Sequence, residues 1–210
     1  REALIIDPVI ERVEEYIFFL KKMNLKLVKV IDTHIHADHI SGLKELNQQT
    51  ECALIMGDKS PSEIVTLKVK DNEKIKIDNI ELTSIYTPGH TDCSYSFFMK
   101  DRIFTGDTLL INGTGRTDFQ NGDPLKQYHS LFDRILKLPD ETFVYPAHDY
   151  KGNKFSTIGK QKKNNPRLQV ESSDQYIKIM NNLNLSSPKM MDIAIPANVK
   201  GLSLKDIKKN

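Results

Sequence analysis

The sequence has 210 residues, 39% hydrophobic and 28% charged, which is enough chain for one well-buried domain and short for two. Its 30 basic and 28 acidic residues leave a net charge of +2, which argues against a polybasic surface for nucleic acid or membrane. Two cysteines, Cys52 and Cys93, cannot make a disulfide framework, and no apolar run approaches the roughly 20 residues that cross a bilayer.

Leu4 to Ile6 reads as a strand entered midway, so a preceding strand is expected to be missing. The start is neither a signal nor a transit peptide, and the expected location is the bacterial cytoplasm, or an organelle after loss of a targeting segment. Asp7-Pro8 is the cap-plus-proline signature of a helix, predicted to run through Val9 to Lys22. Leu25 to Ile31 reads as a buried strand, His39 to Asn47 as a helix and Ala53 to Met56 as a strand. From Ile64 to Met99, β-branched and aromatic runs broken by turn residues predict a strand-rich middle, with a short strand at Arg102 to Thr105. Asp123-Pro124 repeats the cap signature before a helix to about Lys137, and Thr142 to Tyr145 is another strand. Lys160 to Arg167 is polar and loop-like, Ser173 to Leu183 has helical spacing, and Met190 to Pro196 reads as irregular and apolar. That last stretch either covers the core or meets a second copy in a homodimer. The pattern predicts a single α/β domain, with a core at about 4–150 and a C-terminal extension at about 160–210.

Five of the six histidines fall into one pattern. His34, His36 and His39 lie with Asp38 in a single loop, and His90, Asp107 and His148 follow at the ends of later strands. Strand ends in α/β architectures converge on one edge of a sheet, where sites are built. Imidazole and carboxylate are ligands for zinc, iron and manganese. The sixth histidine, His129, lies inside the helix that begins at Asp123 and reads as structural.

Two chemistries fit these ligands. Seven positions suffice for two metals flanking a hydroxide, with His34, His36 and His90 on one, Asp38, His39 and His148 on the other, and Asp107 bridging. Alternatively His34, His90 and Asp107 form a facial triad for a single iron. The ligands alone do not separate the two.

The loop Thr33-His34-Ile35-His36-Ala37-Asp38-His39 resembles the signature of the metallo-β-lactamase superfamily, which implies an αββα sandwich. Phe104 to Ile111, Gly115 to Gln120, Tyr145 to Tyr150, Asn165 to Leu168 and the tail through Ile195-Pro196-Ala197-Asn198 are similar to the persulfide dioxygenases. Thr91-Asp92-Cys93-Ser94 departs from that family, where a glycine is expected after the aspartate. Glyoxalase II, the related hydroxyacylglutathione hydrolase, would carry a longer helical C-terminal domain and is the alternative.

This resemblance implies one Fe(II) per chain, held by His34, His90 and Asp107, and oxidation of glutathione persulfide by O2 and water to sulfite and glutathione. His36, Asp38, His39 and His148 would then orient ligands and water, or remain from a second metal position. Arg116 is the leading candidate to hold a glutathione carboxylate through its guanidinium fork, with Arg167 and Lys200 behind it. Tyr150 and His148 are the candidate catalytic side chains, Tyr150 also touching substrate. Cys93 has no surroundings that would lower its pKa and reads as a small packed residue.

Overall fold

The computed structural model describes residues 1–149, 151–203 and 206; Tyr150, Lys205, Lys208 and Lys209 lie outside the described residues. In chain order the elements are β1 (Glu2–Ile6), α1 (Val13–Lys22), β2 (Lys26–Ile31), α2 (Leu43–Thr50), β3 (Ala53–Gly57) and β4 (Leu67–Val69). Then come β5 (Lys74–Ile77), β6 (Ile80–Tyr86), β7 (Tyr95–Met99), β8 (Arg102–Gly106), β9 (Leu109–Leu110) and β10 (Gly113–Thr114). The remainder is α3 (Pro124–His129), β11 (Phe143–Pro146), β12 (Ser156–Thr157), α4 (Ile158–Asn164), α5 (Ser173–Asn181) and α6 (Met191–Lys200). These elements gather into two compact units, one of residues 1–69, 75–81 and 186 onward, the other of 70–74 and 82–185.

In the first unit, β1 to β4 form a parallel sheet in sequence order. Parallel neighbours need crossovers, and α1 and α2 supply the first two. Each helix buries an apolar stripe, Val13, Ile17 and Leu20 in α1 and Leu43 and Leu46 in α2, and the sheet buries Val30, Ile31, Leu54 and Ile55. A smaller cluster joins Ile10 and Ile40 to Ala197 of α6.

The second unit carries a mixed sheet in which β12, β11, β8, β7 and β6 are neighbours in that order. Strands β6, β7 and β8 are antiparallel in turn, while β11 lies parallel to β8. Hence β6, β8 and β11 all point the same way. Its core includes Ile103, Leu109, Leu131, Ile135, Val144, Ile158 and Tyr176.

Several predicted elements need correction. Asp7 does not cap a helix: its φ is +51°, a 3-10 turn at Ile10–Arg12 follows, and α1 starts only at Val13. Helix α2 starts four residues later than predicted, after the histidine loop has finished turning. The helix from Asp123 passes at Ser130–Arg134 into a π turn and at Ile135–Lys137 into a 3-10 turn. The polar stretch from Lys160 is mostly helix, because Thr157 caps α4 by accepting from the Lys160 amide. Met190 to Pro196 is not irregular but opens α6, with Pro196 inside it.

Candidate metal centre

The two units carry the ligand candidates in two groups. In the first unit the loop leaving β2 holds His34, His36, Asp38 and His39. The imidazoles follow one another in tilted contact, centroids 4.2 Å apart from His34 to His36 and 4.3 Å from His36 to His39. His34 and His36 are buried, Asp38 is exposed, and His39 Nδ1 sits 3.2 Å from Asp38 Oδ2.

This loop is tied down by residues that the sequence pattern did not single out. Asp7, at the end of β1, accepts from the Thr33 amide at 2.7 Å and the Thr33 hydroxyl at 3.0 Å, and meets His36 Nε2 at 3.2 Å. Asn198, from α6, donates to the His36 and His39 carbonyls at 2.9 Å each and accepts from the Ser41 amide at 2.8 Å. A signal for Asp7 was available: β1 lies parallel to β2, so Asp7 leaves its strand beside the histidine loop.

Asp7, Asp32 and His36 form a buried cluster with ligand atoms within 4.8 Å of one another. Burial pushes Asp32 up to about 7, with the Asp7 charge adding and His36 opposing. Burial also raises Asp7, but the charge and bond of His36, with both bonds from Thr33, bring it below its ordinary value. His36 is opposed by burial, yet Asp7, Asp32 and Asp38 push it up to about 9. With Nε2 engaged by Asp7, His36 keeps a buried Nδ1 that has no hydrogen-bond partner among the described residues.

In the second unit, His90, Asp107 and His148 leave β6, β8 and β11 at the same sheet edge, as the shared strand direction dictates. Asp107 Oδ2 is 3.6 Å from His90 Nε2, and its Oδ1 is 3.6 Å from His148 Nε2. These separations exceed a hydrogen bond. Asp107 Oδ1 is buried with no hydrogen-bond partner among the described residues. A carboxylate with one imidazole nitrogen beside each oxygen, and one of those oxygens orphaned, is a donor set that fits a cation.

Neighbouring backbone orders this group. His90 Nδ1 meets the Arg116 carbonyl at 2.7 Å; a carbonyl only accepts, so Nδ1 carries the proton and Nε2 the lone pair. Gly115 donates to the Asp107 carbonyl at 2.7 Å, and a Cβ there would collide with that carbonyl and stand 2.8 Å from His90 Nδ1. Gly89, at φ +137°, lies so close to the backbone of Gln127 that no side chain fits. Gln127 in turn donates to the Gly115 carbonyl at 3.1 Å and takes a 2.8 Å bond from the Tyr176 hydroxyl.

The candidate substrate groups are placed as follows. Arg116 grips Asp118 with Nε at 2.6 Å and Nη2 at 2.7 Å, and its guanidinium lies 4.3 Å from the Phe119 ring centre. Half-buried Arg167 bonds the carbonyl and hydroxyl of Thr114. Lys200 is exposed at the end of α6 in the first unit. Cys93 is buried, with Sγ 3.3 Å from Thr91 Oγ1. His129, at the exposed end of α3, meets Asp133 at 2.7 Å.

The family model for the metallo-β-lactamase superfamily matches residues 1–64 and 57–148. The mitochondrial persulfide dioxygenase ETHE1 of Mus musculus is 40% identical over 203 residues, covering 95% of this chain and 79% of that protein. This chain belongs to the persulfide dioxygenase family of the metallo-β-lactamase superfamily. Among solved persulfide dioxygenase relatives, ETHE1 from Myxococcus xanthus matches with a TM-score of 0.92 and 42% identity, over 94% of this chain and 87% of that one. A hydroxyacylglutathione hydrolase of Tolumonas auensis is 35% identical over 164 residues, 74% of this chain and 60% of that protein. Within the persulfide dioxygenase family the fold is thus the mixed α/β metallo-β-lactamase fold that the histidine loop predicts.

Proposed function

We propose that this chain is an iron-dependent persulfide dioxygenase that oxidises glutathione persulfide. The carrying observation is the 40% identity to a persulfide dioxygenase over 95% of the chain, including the tail segments beyond the ligand loops. His34, His90 and Asp107 would hold one Fe(II), which would supply the redox chemistry that couples O2 to the substrate sulfur. The terminal sulfur loses four electrons to O2, one further oxygen comes from water, and the products are sulfite and glutathione.

The chain's own groups bind and orient. Arg116 would take a glutathione carboxylate in competition with Asp118, with Arg167 and Lys200 as further cationic contacts. His148, with Nε2 3.6 Å from Asp107 Oδ1, would hold water or a proton there, and Tyr150 would be the second catalytic side chain and a substrate contact. His36, Asp38 and His39 would support the loop rather than bind the iron.

The presence of all seven ligand positions supports a second reading, a dinuclear hydroxyacylglutathione hydrolase. Protein purified without added metal decides between them by metal content and two assays. One iron per chain with persulfide-dependent oxygen uptake is expected; two metals with S-lactoylglutathione hydrolysis and no oxygen uptake would overturn the proposal. Asp38→Ala should keep its iron in the first case and lose a metal with nearly all activity in the second.

A further inference from the structure

Thr33 stands between a carboxylate and an imidazole, and its single hydroxyl proton can serve only one of them. Asp7 Oδ2 lies 3.0 Å from Thr33 Oγ1, and Thr33 Oγ1 lies 2.9 Å from His34 Nδ1. Asp7 Oδ1 already accepts the Thr33 amide at 2.7 Å, which fixes the carboxylate's position, and meets His36 Nε2 at 3.2 Å. A carboxylate accepts and cannot donate, so the hydroxyl proton goes to Asp7. The Thr33 oxygen is then left to accept, and what it accepts is the proton on His34 Nδ1. A neutral imidazole protonated at Nδ1 carries its lone pair on Nε2.

We propose that Asp7 is a positioning residue which, through the Thr33 hydroxyl, fixes the tautomer in which His34 offers Nε2 to the metal. The backbone shows the same commitment. Asp7 sits at φ +51°, a left-handed conformation that aspartate tolerates better than most residues and that a helix cap does not adopt. His90 reaches the same tautomer by a different route, a backbone carbonyl on Nδ1. The inference rests on the reading of His34 as a metal ligand.

Asp7→Asn is the sharpest variant, because asparagine keeps the shape and also tolerates positive φ. With its oxygen on the Thr33 amide, its NH2 points at the hydroxyl, which must then donate to His34 Nδ1 and drive the ring proton to Nε2. Thr33→Val removes the relay and Thr33→Ser restores it. Imidazole 15N shifts of the metal-free protein, with His34 assigned by its loss in His34→Gln, should show protonated Nδ1 in the wild type and Thr33→Ser. Anaerobic Fe(II) titration against a chromophoric chelator should show affinity about 10- to 100-fold weaker in Asp7→Asn and Thr33→Val, and near wild type in Thr33→Ser. The relay is overturned if His34 carries its proton on Nε2 in the wild type. It is equally overturned if His34→Gln loses Fe(II) while Asp7→Asn and Thr33→Val bind as the wild type does. Wild-type affinity in His34→Gln would instead remove His34 from the ligand set, and the proposed iron site with it. Should Asp7→Asn fail to fold, the Thr33→Val and Thr33→Ser pair decides.

Discussion

Asp7 and Asp32 face the same imidazole, yet their surroundings move them in opposite directions. Asp7 meets three donors, whereas Asp32 Oδ1 is buried with no hydrogen-bond partner among the described residues. Asp32, raised from 3.8 to about 7, favours the fold while protonated; that contribution is present below 3.8 and fades as pH rises through about 7. His36, raised from 6.5 to about 9, stabilises below 6.5 and loses its contribution as pH rises through about 9. Asp7, lowered, stabilises above 3.8 and loses its contribution on acidification. In metal-free protein, urea unfolding from about pH 4 to pH 7 should therefore show the wild type losing stability relative to Asp32→Asn. Parallel curves would mean that Asp32 does not hold a proton in the fold. At this scale the candidate metal-binding residues were legible, because three histidines and an aspartate in one short loop form a pattern that few other roles call for. Asp7 was marked only by the end of β1 falling beside the end of β2, and nothing local marks Asn198, whose partners lie 157 or more residues away.

The dipeptide Asp-Pro occurs at Asp7-Pro8 and at Asp123-Pro124, and the two sites part company over where the carboxylate goes. Asp123 Oδ1 accepts from the amides of Leu125 and Lys126 at 2.9 and 3.0 Å, an ordinary cap on α3. Asp7 spends its carboxylate on the histidine loop, and α1 begins six residues later. Helix α6 misled in the opposite sense: an interior proline lacks the amide that a helix needs, yet Pro196 is exposed while Ala194, Ala197 and Asn198 are buried. Packing overrides propensity there, because α6 delivers the clamp on the loop. Asn198→Ala should cost about 1–3 kcal/mol in denaturant unfolding, the range for buried groups left without partners. The Ser41 amide, bonded to Asn198, should exchange with solvent faster in that variant. Unchanged exchange would show that α6 does not hold the loop.

Across the whole molecule, the loop signature carried the fold, since one heptapeptide implied an architecture that the rest of the chain then follows. What it could not carry is the first unit's membership: residues 1–69, 75–81 and 186 onward come together through packing between segments far apart in sequence. A bound ion adds stability by mass action, about 2.7 kcal/mol at a hundredfold excess over Kd. Fe(II) added anaerobically should accordingly raise Tm in the wild type and leave Tm unchanged in Asp107→Asn. The Asn198 clamp also has a meaning in time. It arrives 157 residues after Ser41, and synthesis at 5–20 residues per second puts roughly 8–30 s between the two. Throughout that interval the emerging loop carries its histidines without the helix that closes it, so the ribosome finishes the histidine loop long before it supplies the latch.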